Sequence, residues 1–234
     1  MAKVAEKKLK PLDQFGGSLA AKVYFVLKDA ILSLAYRPGE ILRKGEICDA
    51  LGVSRSPVSE AVAKLASEGL VDVVPQAGTF VSRFSMDEIR EGAFLREALE
   101  VAAVEQVART ITEAQLVLLR RNLRVQEALV GDGDFDGFYQ LDAEMHALIL
   151  SFTGFRRLAQ LAESSWVQVN RARHLNLPSP GRIQETVGEH QRIVDAIAAH
   201  DPGSARHATQ DHLRQLIKYL EPLEIERPEL FKPD

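Results

Sequence analysis

Hydrophobic residues fall every three or four positions from residue 18 to 36, which is the spacing of one face of an α-helix. This pattern stops at Pro38-Gly39, a turn signal. Two more helices are predicted next, a short one stopped by Gly52 and another, from about 54 to 68, stopped by Gly69. The apolar face of the first helix comprises Val23, Val26, Leu27, Ala30, Ile31 and Leu34.

The spacing then changes to that of strands and back to that of helices. The stretch "LVDVVPQAGTFVSRF" holds two β-rich runs around a Pro-Gln-Ala-Gly turn, which predicts a hairpin. After it, Asp134 and Asp201 are placed to cap helices, and Pro202 suits a first helical position. We therefore expect a mainly α chain whose second part is an all-α helical bundle. Its predicted helices lie near 86–110, 113–130, 134–152, 154–176, 185–200 and 203–221.

Composition narrows the class of protein. The chain of 234 residues is 46% hydrophobic and 26% charged, which is typical of a soluble globular protein. Its single cysteine, Cys48, excludes an intrachain disulfide and favours a reducing, cytoplasmic location. No apolar run approaches the roughly 20 residues that cross a bilayer. The basic N-terminus lacks the apolar stretch of a secretory signal, and we expect a flexible arm over 1–17.

Charge is unevenly distributed along the chain. The net charge is −4, yet residues 1–83 hold 12 Lys and Arg against 9 Asp and Glu. Residues 84–234 hold 17 basic against 24 acidic side chains. A basic head is thus joined to an acidic body, a distribution that agrees with a nucleic-acid-binding head and leaves other partners open.

The stretch 51–71, "LGVSRSPVSEAVAKLASEGLV", carries the candidate chemistry of the head. Two helices joined by a tight glycine turn, the second opening on short polar residues, fit a helix-turn-helix whose hairpin is a wing. Ser54 and Ser56 can cap the second helix and donate to phosphate oxygens, and Arg55 can reach a phosphate or grip guanine. Pro57 fits the first turn, where its missing N–H costs nothing. An ordinary helical hairpin with a serine cap is the alternative interpretation.

The stretch "RPGEILRKGEICDALGVSRSPVSEAVAKLASEGLVDVVPQAGTFV" resembles the winged helix-turn-helix of GntR-family bacterial transcription regulators. The pieces "PGE", "LGVSRSPV", "EGLV" and "GTFV" stand in the expected order, and the resemblance covers about residues 18–83. It implies a domain over 18–84 that binds double-stranded operator DNA. The residues implied to carry recognition are Ser54, Arg55, Ser56 and Pro57.

The same resemblance implies that Gly78, at the wing tip, approaches the minor groove. Two positions depart from the family's pattern. Ser59 stands where the family usually has arginine, and Gly45 stands where a basic residue is common, with Arg43 and Lys44 close by. These departures predict weaker phosphate anchoring or a different operator. A weaker anchor also flattens the salt dependence of binding, because each phosphate neutralised by a basic side chain adds about one unit to its slope.

Four polar residues of the acidic half fall on apolar helix faces. Asp142 and His146 lie four residues apart on the predicted helix 134–152 and therefore side by side. His190 and His212 follow the core spacing of two later helices. A buried carboxylate with three imidazoles is costly unless a divalent metal such as zinc, nickel or manganese pairs it. A hydrogen-bonded core residue is the simpler interpretation of any one histidine, but the set together favours a metal.

An Asp-x-x-x-His helix followed by two single histidines on later helices is similar to the metal-binding FCD-type ligand domain of FadR-like GntR regulators. The similarity, over about 86–221, rests on pattern and helix count. It implies a ligand-binding and dimerisation domain over 85–225 followed by a tail over 226–234, and a metal that helps to hold a small carboxylate effector. The implied metal ligands are Asp142, His146, His190 and His212.

An anionic effector also requires a cation. Arg96 shares its helix face with apolar residues, and the subgroup that the chain resembles typically has arginine there, so its guanidinium can clamp a carboxylate through two hydrogen bonds. The alternative is an ordinary Arg96–Glu100 pair one turn apart, which is worth a few tenths of a kcal/mol. Asn170 and Arg173, on a helix with Trp166, are further candidates, with a solvated helix end as the simpler interpretation.

These features predict a ligand-responsive DNA-binding transcription regulator, usually a repressor in this family, and not an enzyme. One recognition helix reads only a half-site, so we expect a homodimer on a palindromic operator. The rival is a metal-dependent enzyme acting on a small organic acid, with an accessory DNA-binding head. No candidate general base for such an enzyme lies at a clear spacing from the predicted ligands, since Glu144 and Glu189 are expected to point away from them. A fatty-acyl effector without metal is a third option, which four inward polar residues disfavour.

Overall fold

The computed structural model describes residues 9–176 and 181–233. Residues 1–8 of the predicted arm, 177–180 of the predicted loop and 234 of the predicted tail lie outside this range. The described chain divides into two compact units. The first comprises the described parts of Met1–Glu88, Asn170–His174 and Pro222–Asp234, and the second those of Ile89–Val169 and Leu175–Glu221.

Three helices form most of the first unit: α1 (Leu19–Leu32), α2 (Lys44–Leu51) and α3 (Arg55–Ser67). Helix α1 ends four residues before the predicted position, and Leu34 beyond it has a positive φ of 60°. Between α2 and α3, Gly52 adopts a left-handed conformation with φ 64°, which residues with a Cβ rarely adopt. Glycine here therefore permits the tight turn between the two helices, as the sequence predicted.

The predicted hairpin is present as two antiparallel strands, β1 (Val71–Val74) and β2 (Gly78–Val81). Val71 lies opposite Val81 and Val74 opposite Gly78, so residues 75–77 form the turn. The core between these strands and the helices is apolar. Along the helices, the most deeply buried residues recur every three or four positions. Fully or almost fully buried members are Val23, Leu27, Ile31, Ile47, Val58, Val62, Leu65, Leu70 and Val81.

Beyond the wing the described chain is helical, apart from one isolated bridge between Phe84 and Phe231. Asp134 accepts from the Gly137 N–H over 2.9 Å and Asp201 from the Ser204 N–H over 3.0 Å, so both predicted caps are confirmed. The helices are α4 (Met86–Thr110), α5 (Glu113–Asp132), α6 (Phe135–Phe152), α7 (Arg156–Ser165), α8 (Val167–Asn176), α9 (Arg182–Ala198) and α10 (Pro202–Glu226). The fold class is mainly α, with a winged helix-turn-helix and a helical bundle, as predicted.

Two further departures from the predicted helices lie in the second part of the chain. The single helix expected over 154–176 is interrupted at Trp166, whose φ of −108° and ψ of 11° are not helical. Helix α10 was expected to end before Pro222, yet it continues through this proline to Glu226. A proline removes one backbone hydrogen bond without always ending a helix.

Helices α5, α6 and α9 pack together in the second unit. Their buried apolar residues include Leu119, Leu123, Phe138, Met145, Ile149, Ile193, Val194 and Ile197. Among the described residues, no helix is both long enough and apolar enough to cross a membrane. This core surrounds the buried polar cluster described below.

Candidate functional site

The start of α3 presents short polar side chains to solvent. Arg55 is the first residue of the helix and is exposed, and Ser54 precedes it at the N-cap position. The Ser54 side chain makes no capping hydrogen bond, so this predicted cap is absent. The Ser56 hydroxyl donates to Glu60 Oε1 over 3.2 Å. Ser54 and Arg55 are therefore placed to meet an external partner at a helix N-terminus.

The other residues predicted for the DNA surface differ in exposure. Pro57 is buried in the first turn of α3, so it shapes the helix start, whereas Ser59 is exposed. Arg43 is the N-cap of α2 and is exposed, with its Nη1 3.6 Å from Glu46 Oε1, and Lys44 is the first residue of that helix. An exposed Arg43 and a half-buried Lys44 thus open α2, while α3 opens on serine and arginine.

Gly78 directly borders the turn at the tip of the wing. It is the first residue of β2, opposite Val74, and its φ is 133°. A Cβ at this position would lie 3.4 Å from Ile41 Cδ1 and would impose a strained backbone. The tip is formed by residues 75–77, where Gln76 has a φ of 61°. Gly78 therefore fixes the backbone geometry of the hairpin next to the turn residues 75–77.

Asp142, His146, His190 and His212 come together in the second unit. Asp142 and His146 lie one turn apart on α6, His190 lies on α9 and His212 on α10, and all four are buried. One ligand atom from each lies within 4.8 Å of every other. The sequence periodicity therefore identified a real cluster of side chains.

Two distances within this four-residue cluster suit donor atoms that share one metal ion. His146 Nε2 and His212 Nε2 are 3.3 Å apart, and His190 Nε2 is 3.4 Å from Asp142 Oδ1. Donor atoms bound to one zinc ion at about 2.0–2.2 Å lie roughly 3 to 3.5 Å from one another. Three imidazoles and a carboxylate are also the donor types that zinc, nickel and manganese accept. By geometry and donor chemistry, the residues fit a divalent metal.

Each histidine makes a hydrogen bond through Nδ1, the ring nitrogen on the side away from the cluster. A carboxylate or amide oxygen accepts there, so Nδ1 carries the proton and the Nε2 lone pair faces the cluster. The pairs are His146 Nδ1 with Glu100 Oε2 at 2.5 Å, His190 Nδ1 with Gln126 Oε1 at 2.7 Å, and His212 Nδ1 with Glu189 Oε2 at 2.7 Å. This outer layer fixes both the tautomer and the ring orientation that a metal ligand requires.

The two buried carboxylates behind the histidines are themselves paired with arginines. Glu100 Oε1 accepts from Arg96 Nε over 2.6 Å. Glu189 accepts from Arg182 Nη1 over 2.6 Å and from Nη2 over 2.9 Å, a bidentate geometry. The negative charges are thus balanced without protonating the imidazoles.

Electrostatics supports this assignment for His146. Burial alone would raise the pKa of Glu100, but the Arg96 charge and the hydrogen bonds from His146 and Arg96 hold that pKa well below its ordinary value. Burial lowers the pKa of His146, and the Arg96 charge lowers it further against the opposing pull of Glu100. A carboxylate thus faces a neutral imidazole at neutral pH, which leaves the imidazole able to bind a metal.

The outer layer corrects one expectation and adds a residue that the sequence periodicity did not single out. Glu189 was expected to point away from the predicted ligands, but it is buried and contacts His212, a predicted ligand on another helix. Gln126 was not predicted, although it continues the apolar spacing of Leu119 and Leu123 along α5 and is fully buried. The histidines were identified as polar residues on apolar helix faces, and the same criterion would have identified Gln126.

Of the predicted effector residues, the structure places Arg96 beside the cluster. Arg96 is buried, pairs with Glu100, and has its guanidinium carbon 5.3 Å from the centroid of the Trp166 ring. The ion pair is therefore present and also adjoins a metal-cluster histidine. Asn170 and Arg173 are half-buried on α8 and belong to the first unit, whereas the cluster belongs to the second.

Two further buried donors lie in the second unit. Trp166 Nε1, whose ring stacks near Arg96, and Thr209 Oγ1, three residues before His212, have no hydrogen-bond partner among the described residues. A buried unsatisfied donor costs about 1–3 kcal/mol. Both groups would gain from a bound molecule that offers acceptors.

Two family models match the chain. The model for bacterial regulatory proteins of the gntR family matches residues 19–81, and the model for the FCD domain matches residues 91–215. The first match covers the helix-turn-helix and wing, and the second contains all four residues of the cluster.

Relatives of this organisation extend over nearly the whole chain. A regulator of the helix-turn-helix type in an unstable DNA locus of Streptomyces ambofaciens is 33% identical over 91% of this chain and 89% of its own. The transcriptional repressor RspR of Escherichia coli K12 is 28% identical over 91% of this chain and 93% of its own. The solved structure of E. coli McbR/YncC shares the fold, with a TM-score of 0.76 and 23% identity over 89% of this chain and 99% of that one.

Proposed function

Because the chain belongs to the GntR family of bacterial transcription regulators and carries an FCD domain, we propose that it is a metal-containing, effector-responsive repressor. It would act as a homodimer on operator DNA in the cytoplasm, through a head over 18–84 and a ligand-binding domain over 85–225. The observation that carries the effector half is the buried four-residue cluster with each histidine oriented from behind. The relatives reported above are transcription regulators and not enzymes, which removes the support for a metalloenzyme.

In this proposal Asp142, His146, His190 and His212 hold zinc, nickel or manganese. When bound, the ion would neutralise the Asp142 carboxylate and offer a coordination position to an effector carboxylate. The chain's own residues supply the remaining recognition. Arg96 adds positive charge. The N–H of Trp166 and the O–H of Thr209 can both donate, and so favour a ligand with acceptor oxygens.

The effector class that fits is therefore a small chelating carboxylate. A fatty-acyl chain would leave these buried donors and charges unsatisfied. Asn170 and Arg173 stay predicted as further effector contacts. Effector binding would shift the population between two arrangements of the protein that differ in operator affinity, with a coupling of about 1–3 kcal/mol.

Operator affinity is the test of this function. We expect a small chelating carboxylate, added to the metal-loaded protein, to change operator affinity by about 5- to 150-fold. Fluorescence anisotropy with operator DNA selected from a random pool measures it. The proposal fails if operator affinity is unchanged at saturating concentrations of every small carboxylate that calorimetry shows to bind.

A second copy of the chain is expected at the face of α4 that carries Phe94. Phe94 is 74% exposed there and lines a groove with Ala98, Val101 and Ala102, whose other lining residues are the polar or charged Glu97, Glu105, Arg206 and Gln210. Such a large exposed aromatic side chain favours burial against a partner. A homodimer also presents the two recognition helices that a palindromic operator requires.

Removing the Arg55 guanidinium should weaken operator binding. We expect Arg55→Ala to lose about 10-fold or more in affinity, because a base or phosphate contact of arginine is worth about 1–3 kcal/mol. If the contact is to phosphate, the slope of log K against log salt should also fall by about one unit. Arg124→Ala, an exposed arginine on α5, is the matched control. Equal affinities of Arg55→Ala and wild type would exclude the predicted role.

A further inference from the structure

Two of the three histidines in the cluster contact carboxylates, whereas His190 contacts the amide of Gln126. Gln126 Oε1 lies 2.7 Å from His190 Nδ1. An ionised carboxylate can only accept, so it requires a proton on the nitrogen that it faces. An amide can present either its oxygen or its NH2 group. Gln126 therefore determines where His190 carries its proton only if the orientation of the amide is itself fixed.

Asn122, one turn before Gln126 on α5, fixes that orientation. Its Nδ2 donates to the backbone carbonyl of Leu141 over 3.0 Å, and its Oδ1 accepts from Gln126 Nε2 over 2.7 Å. Because a backbone carbonyl oxygen can only accept, it requires the NH2 group of Asn122 and leaves the Asn122 oxygen toward Gln126. The NH2 group of Gln126 then faces Asn122, and the oxygen of Gln126 faces His190.

The hydrogen bonds of this chain lie away from solvent. Gln126 and His190 are fully buried, and Asn122 is only 4% exposed. Gln126 Nε2 also lies 3.5 Å from the Leu141 carbonyl oxygen and 3.9 Å from Met145 Sδ, two more acceptors. A flipped Gln126 amide would turn its oxygen toward all of these acceptors. In a buried site such lost hydrogen bonds are costly, so the observed amide orientation is strongly preferred.

Asp142 favours the opposite tautomer of His190. Its Oδ1 lies 3.4 Å from His190 Nε2, and a proton on Nε2 would be attracted to the carboxylate. A metal ion, however, requires the lone pair of that same nitrogen. The hydrogen bond at Nδ1 therefore opposes Asp142 and keeps His190 Nε2 available to a metal.

We propose that Asn122 is a positioning residue of the metal site, which orients the Gln126 amide and thereby keeps the proton of His190 on Nδ1. This inference rests on the proposed metal site. It explains how His190 is prepared for metal binding by neutral groups, whereas the other two histidines are oriented by the charged Glu100 and Glu189. The orienting effect begins at a backbone carbonyl and reaches the imidazole through two amide side chains.

The tautomer of His190 in the metal-stripped full chain tests this role. Long-range proton–nitrogen correlation spectra, recorded where the imidazole is neutral, distinguish a protonated ring nitrogen from an unprotonated one, and the spectrum of His190→Ala assigns the signals. We expect wild type to carry the proton on Nδ1. Asn122→Ala should allow the Gln126 amide to flip, because a water in the vacated space can donate or accept. The His190 proton should then move toward Nε2, and zinc affinity should fall about 10-fold.

Leu123→Ala is the matched control, because it truncates the adjacent buried residue of α5 and leaves the hydrogen bonds of Asn122 in place. It should keep the wild-type tautomer and bind zinc within twofold of wild type. Asn122→Asp should also keep the tautomer, since its side chain presents an oxygen to Gln126 whether it is ionised or protonated.

The role of Asn122 is refuted if metal-stripped wild type carries the His190 proton on Nε2, or if Asn122→Ala leaves it on Nδ1. Loss of the Nδ1 proton in Asn122→Asp would contradict it as well. Equal decreases in zinc affinity in Asn122→Ala and Leu123→Ala would also refute it, because lost packing would then explain both. A wild type that keeps the proton on Nδ1 but binds none of zinc, nickel and manganese would instead overturn the proposed metal site.

Discussion

Zinc, nickel or manganese is expected to raise the melting temperature of the metal-stripped protein by about 5 to 15 °C. A ligand that binds only the folded state stabilises it by about 2.7 kcal/mol at 100 times its Kd and about 4.1 kcal/mol at 1,000 times. One kcal/mol shifts the melting temperature of a chain of this size by roughly 2–4 °C. The preformed orientation of all three imidazoles is what makes such affinity attainable.

Differential scanning calorimetry, with elemental analysis of the same samples, measures this effect. Wild type should contain about one metal per chain, and His190→Ala should contain none and show no thermal shift. His200→Ala should behave as wild type, because His200 Nδ1 contacts the Ala108 carbonyl outside the cluster. A wild type that none of the three ions stabilises would make the histidines hydrogen-bonded core residues.

The architecture of the head followed from local signals. Gly52 between α2 and α3 has the left-handed backbone that its position predicted, and the hairpin turn lies where the Pro-Gln-Ala-Gly stretch predicted it. Boundaries were less predictable where tertiary contacts compete with local preference. Trp166 breaks a helix although it carries no breaker signal, and Pro222 fails to end one. In both places packing in the folded chain outweighs the intrinsic propensity of a single residue.

The metal cluster and its outer layer differ in what the sequence can predict. Asp142 and His146 share a helix, so their adjacency follows from the 3.6-residue period alone. The contact between Glu189 and His212 depends on how α9 and α10 are rotated and shifted against each other, which the period of either helix does not define. For this reason Glu189 was expected to point away, although it orients a candidate ligand.

Glu189→Ala is expected to lower the free energy of unfolding by about 3–5 kcal/mol, because it leaves buried charge without its partner. Arg182, only 4% exposed, would lose its bidentate carboxylate, and His212 would lose the acceptor that fixes its Nδ1 proton. Metal affinity should also fall by about 10- to 100-fold, as for other partners that orient ligating histidines. Urea unfolding of the metal-stripped protein and metal titration measure the two effects separately.

Glu185→Ala provides the comparison that isolates burial as the cause. Glu185 Oε2 is also 3.5 Å from Arg182 Nη1, but its side chain is 58% exposed, so its removal should cost less than about 1 kcal/mol. It contacts none of the cluster's histidines in the described structure and should leave metal affinity unchanged. Equal decreases in stability in the two variants would show that the burial of Glu189 is not what makes its pairing with Arg182 important. A Glu189→Ala variant that kept full metal affinity would show that His212 does not need its carboxylate partner to bind the ion.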